Sequence, residues 1–137
     1  MSGTTDDADR VRPWIRLAEE DFSMAGHEME REQDGALGGI CFHSQQCVEK
    51  YLKALLVAHA VDFPKVHDLE AIMALIPGGA GLSLKVDDIL PLNRYATAGR
   101  YPGDWEVPTR EEAAAALEMA RKARDAVRKC LPADSLA

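Results

Sequence analysis

No apolar run in this chain approaches the roughly 20 residues needed to cross a bilayer as a helix. The first ten residues, MSGTTDDADR, are polar and acidic, and they lack the basic start and apolar stretch of a signal peptide. The sequence therefore reads as a cytoplasmic chain with no membrane association. Positive charge is also short: Asp and Glu outnumber Lys and Arg by 23 to 16, which argues against a nonspecific coat for nucleic acid. A local basic stripe remains compatible with that balance. The three cysteines, Cys41, Cys47 and Cys130, are an odd number and form no CxxC pair. Cys41 and Cys47, six apart on one predicted helix, are separated by about 9 Å along its axis, too far to bridge. They read as small apolar residues in a reducing compartment. The four histidines show neither HxxxH nor HExxH spacing, so the sequence calls for no metal and no cofactor.

Strand-like alternation is missing as well, and no repeat of 20 to 50 residues occurs. What is present is helical periodicity. Val11, Ile15, Ala18, Phe22, Ala25 and Met29 alternate spacings of four and three, which predicts a first helix ending near Glu32 to Gly35, with Pro13 in its first turn. A second runs from about Gly38 to His59, where Pro64 disfavours helix at Phe63. HDLEAIMALI, from His67 to Ile76, is a short helix stopped by PGG, and VDDILPLNRYATAGR carries a fourth, kinked or restarted at Pro91. Thr109 and Glu112 form a TxxE capping box for a last, alanine-rich helix over about Arg110 to Leu131. The expectation is an all-α fold, an antiparallel bundle of four to five helices, three long and two short. Its domain spans residues 11–132, between disordered tails at 1–10 and 133–137.

Four groups of residues carry candidate chemistry. In FHSQQCVEKYLKALL, His43, Gln46, Lys50 and Lys53 lie at i, i+3, i+7 and i+10, within roughly an 80° arc of a helix. That stripe is either a solvated back face or a site for phosphate or a partner. His67-Asp68 opens a helix, where Asp68 suits the cap. Arg94 and Arg100 sit among aromatic residues in NRYATAGRYPGDW, and a guanidinium fork suits phosphate or carboxylate oxygens, including those of Glu49 or Asp104. Tyr101 and Trp105 read as packing anchors for their loop, with base stacking as the functional alternative.

The order FHSQQCVEKYLKALL, then HDLE, then RYP, then an alanine-rich helix opened by TREEA resembles the HEPN family of nucleotide-binding domains over about residues 14–131. Its most specific parts are His43, Gln46, Glu49, Lys50 and Lys53, followed by His67-Asp68-Leu69 and Arg100-Tyr101-Pro102. The resemblance implies a helical bundle, commonly a homodimer, often encoded beside an MNT-type nucleotidyltransferase, and in many such pairs a toxin and antitoxin. Many members of the resembling family are metal-independent endoribonucleases whose catalytic Arg precedes a His with four to six residues between. The windows this requires are Glu20 to Phe22 for His27, Ala36 to Gly38 for His43, Leu52 to Ala54 for His59 and Ala60 to Asp62 for His67, and none contains Arg.

The expected function is thus a HEPN domain that binds a nucleotide or RNA phosphate and acts with a partner protein. Phosphate ligands would come from His43, Gln46, Lys50, Lys53, Arg94 and Arg100, with Tyr101 available to stack. Two alternatives stand beside it: a ribonuclease toxin using a displaced His, with His43, His67 and Arg100 as the catalytic candidates, and a non-catalytic dimerisation or partner-binding module.

Overall fold

The computed structural model of the chain describes residues 3–31, 36–96 and 107–136. It is an all-α antiparallel bundle built on three long helices, α1 (Gly3–Glu30), α2 (Leu37–Ala58) and α4 (Arg110–Arg128), with a short α3 (Leu69–Leu75) between the second and the last. A six-residue 3-10 segment, Leu90–Tyr95, is the fifth helix, and no strand occurs among the described residues. Pro91 sits in its first turn, so the helix expected through this region is divided into the 3-10 turns Val86–Asp88 and Leu90–Tyr95.

α2 is the centre of the bundle, packed between α1 and α4, with α3 and the Leu90–Tyr95 segment also against it. Local signals do little to hold it: Ala36 offers no side-chain cap, and the first turn carries no acidic residue. Burial supplies the stability instead, as expected for a helix wrapped by neighbours. Ile40, Val48, Leu52, Leu55 and Leu56 are fully enclosed, and so is Tyr51. The C-terminus closes with two reversed hydrogen bonds, Val61 N to Leu56 O at 2.9 Å and Ala60 N to Val57 O at 3.0 Å. That Schellman closure puts Ala60 at φ 55°, where glycine is the ordinary residue.

α4 starts where the capping box places it. Thr109 Oγ1 accepts from Glu112 N and Glu112 Oε1 accepts from Thr109 N, each at 3.0 Å. Ala113, Ala116, Ala120 and Ala123 line its buried face, and their small side chains let the helix approach α2 closely.

α1 departs most from the sequence reading, because Pro13 lies well inside it rather than in its first turn. An interior proline removes a backbone hydrogen bond and costs about 3 kcal/mol. Tertiary contacts offset this: Ala8 and Val11 are buried, and Arg12 donates to the Asp134 carbonyl at 2.9 Å. The partner of that bond belongs to a final 3-10 turn, Ala133–Leu136, packed on α1.

Candidate functional site

α2 has no solvent face to spare, and this decides what its polar stripe does. Two carboxylates receive the stripe, each taking one lysine and one histidine.

The first is Asp21 of α1. Lys50 Nζ donates to its Oδ2 at 2.6 Å, and His43 Nδ1 lies 2.7 Å from its Oδ1. An ionised carboxylate only accepts, so the proton of the neutral imidazole resides on Nδ1 and Nε2 is left as the acceptor. Among the described residues nothing meets that Nε2. Asp21 itself is nearly closed off, its side chain 9% exposed, whereas Lys50 and His43 keep 22% and 24%. The buried anion is thus covered by two donors that form part of the surface.

The second carboxylate, Glu49, belongs to α2 itself. Lys53 Nζ reaches its Oε2 at 3.0 Å, Gln45 Nε2 its Oε1 at 3.1 Å, and His67 Nδ1 lies 3.1 Å from both oxygens. Gln46 extends the chain by donating to Gln45 Oε1 at 2.7 Å. Lys53 is turned inward, 7% exposed, with its ammonium 6.0 Å from the Trp14 ring and 5.6 Å from the Phe63 ring. It holds Glu49 and is not presented to a ligand. His67 is largely exposed, while the adjacent Asp68 caps α3 by accepting from Glu70 N at 3.0 Å. Asn93 secures this cap, donating to Asp68 and accepting from Leu69 N, and its bond to Asp68 is the main cause holding that carboxyl below its ordinary range.

The remaining sequence candidates lie apart. Arg94 is 3.7 Å from Glu112 of α4 and lies over the Tyr95 ring, and Tyr95 contacts Cys41. Cys41 projects about 200° around α2 from His43, so Arg94 is on the other side of the helix from the stripe. Arg100 and Tyr101 lie outside the described residues, as does Trp105.

Sequence reasoning missed Asp21, although a signal was present. It sits three residues after Ala18 and four before Ala25, on the face α1 buries, where a charge needs a partner. Glu19 was missed too. Arg124 of α4 grips it with two bonds, at 2.7 and 2.8 Å, and the Tyr51 hydroxyl donates to it at 2.6 Å while accepting from Arg128 at 3.0 Å. One carboxylate thereby ties three helices together. The Arg124 bond is the main reason the Glu19 carboxyl stays below its usual range, against the opposing pull of burial. A depressed carboxyl stabilises the fold above its unfolded-state value, near 4.5, and that contribution is lost as pH falls through the lower, folded value. Glu19→Gln should therefore flatten the decline of stability below that pH, measured as urea midpoints across an acid series. The effect should shrink in high salt because Glu19 is about a third exposed.

A small all-α domain whose central helix carries two lysines, each paired with a histidine on a shared carboxylate, is what the fold and site define. The HEPN domain family model matches residues 11–130, and the chain belongs to that family. No curated protein and no solved structure matches it. Membership supports a nucleotide- or RNA-related function in general terms; HEPN domains generally bind RNA and often dimerise. Among the described residues no helix is long and apolar enough to cross a membrane.

Proposed function

We propose that this chain binds the phosphate of a nucleotide or of RNA at the Asp21 node and acts in the cytoplasm with a partner protein. The partner would be an MNT-type nucleotidyltransferase, with this chain as a homodimeric HEPN component of a toxin–antitoxin pair; the motif order and the family support that part. The observation that carries the phosphate reading is the half-open pair, Lys50 and His43, whose common anchor is buried beneath them. An ammonium has three donors, and Asp21 takes one. The others can meet phosphate oxygens without moving the side chain, while His43 Nε2 orients the ligand. Gln46 flanks the pair on the same face, and Arg100 and Tyr101 complete the proposed set. Lys53 supports it from beneath through Glu49.

A thermal-shift panel of adenosine and guanosine mono-, di- and triphosphates and a short RNA tests this. A ligand at 100 times its dissociation constant adds about 2.7 kcal/mol, a shift of several degrees in a domain of this size. Wild type should respond, and Lys50→Ala should bind about tenfold more weakly or worse, the loss of one charge-assisted contact. No shift with any ligand would remove the phosphate reading and leave a partner-binding module, to be pursued by co-purification.

The geometry favours one further reading, a metal-independent endoribonuclease with a displaced histidine. Asp21 fixes the His43 tautomer with Nε2 outward, the orientation a general base needs to take a proton from a ribose 2′-hydroxyl. His67 is held in the same way on Glu49. Cleavage of single-stranded RNA by nuclease-free protein, abolished by His43→Ala, would establish that activity, whereas cleavage surviving both His43→Ala and His67→Ala would dismiss it.

A further inference from the structure

With the His43 imidazole in its neutral form, the Asp21 node carries no net charge. Its carboxylate and the Lys50 ammonium cancel at 2.6 Å, and the neutral imidazole of His43 adds nothing. Lys50 cannot leave Asp21 for an incoming phosphate without cost, because a carboxylate only 9% exposed would then keep the His43 bond but lose its counter-charge. An anion arriving at the node gains little net attraction unless the node acquires a charge.

We propose that the ligand of this node is a nucleic-acid phosphodiester and that its capture is linked to uptake of one proton at His43 Nε2. The inference rests on the phosphate reading above and specifies how that site acquires its charge. Nδ1 is committed to Asp21, so the added proton goes to the ring nitrogen that faces outward, where it becomes the donor the phosphodiester lacks. The protonated node then carries one positive charge and matches the single negative charge of a phosphodiester. The charged groups paired within the node are Asp21 from α1 and Lys50 on α2. Glu19 of α1 and Arg124 of α4, which with Asp21 and Lys50 act on the neighbouring Cys47, pair with each other. A bound anion and a proton at Nε2 favour each other, so binding strengthens as pH falls and weakens as it rises.

The charge count gives a result of unusual sign for removal of a site carboxylate. Asp21→Asn releases Lys50 from its counter-charge and should tighten binding at pH 8, while His43→Gln should leave the weak binding of the neutral node at every pH. The test is calorimetric titration with an oligouridylate that has hydroxyl ends, since neither its phosphodiesters nor its bases titrate between pH 6 and pH 8. Wild type should bind about tenfold tighter at pH 6 than at pH 8, and enthalpies in buffers of different ionisation heat should report close to one proton taken up. Asp21→Asn should bind about tenfold tighter than wild type at pH 8, and His43→Gln should lose both the pH dependence and the proton. Binding that is flat with pH in wild type and free of proton uptake overturns the inference while leaving the phosphate site in place. Absence of binding by wild type at pH 6 and by Asp21→Asn at pH 8 overturns both.

Discussion

Glu49→Ala should cost about 3 to 5 kcal/mol, the penalty for leaving a buried charge without its partner. Lys53 is 7% exposed and has Glu49 as its carboxylate, and the Trp14 and Phe63 rings beside it replace only part of a counter-charge. Gln45 and His67 lose their acceptor in the same substitution. The reverse change is milder. Lys53→Met leaves Glu49 bonded to Gln45 and to a histidine that can itself become positive, so about half the loss is expected. Glu49→Gln combined with Lys53→Met should be more stable than Glu49→Gln alone, because the second change removes the orphaned ammonium. Urea denaturation of the four proteins measures this directly. A loss below about 1 kcal/mol for Glu49→Ala would mean that Lys53 finds water when its partner is gone.

Tyr51→Ala is the second large effect, at about 3 to 5 kcal/mol, the range for deleting a fully enclosed aromatic side chain. Tyr51→Phe separates the two parts of that loss. It keeps the ring and removes the hydroxyl that donates to Glu19 and accepts from Arg128. Glu19 retains both Arg124 bonds, so the polar part alone should cost about 1 kcal/mol. The difference between the two variants, read from thermal or urea unfolding, is the packing share. Equal losses for Phe and Ala would show that the hydroxyl network, not the ring, holds the three helices together.

Helices whose limits are written in nearby residues were legible in the sequence. Thr109 and Glu112 set the start of α4, and the AVDFP segment fell beyond the end of α2, both within the local grammar of caps and prolines. The beginning of α1 was not legible, since Pro13 suits a first turn and it takes the burial of Ala8 and Val11 and the long-range contact of Arg12 with Asp134 to show why the helix extends before it. The stripe on α2 was legible as spacing, and its placement was not. Spacing says that His43, Lys50 and Lys53 share a face, but the Asp21 that His43 and Lys50 meet lies 22 and 29 positions away on α1, and the His67 that joins Lys53 on Glu49 lies 18 positions from that carboxylate. The placement of Arg94 beside Glu112 and Tyr95 was not legible either, since both contacts depend on how the chain turns through the 3-10 segment.

The alanine face of α4 shapes the order in which the bundle comes apart. Five alanines and Val127 are all that this helix buries fully, so its removal uncovers little apolar surface for its length. Its attachment depends heavily on ionic and polar links, chiefly Arg124 to Glu19 and Arg128 to the Tyr51 hydroxyl. Such an element opens at a lower free energy than the whole fold, and dissolved salt lowers it further. Backbone amides of α4 should therefore exchange with solvent through a sub-global opening that leaves the α1–α2 pair closed, and the Asp21 node, built from that pair alone, should outlast the departure of the last helix.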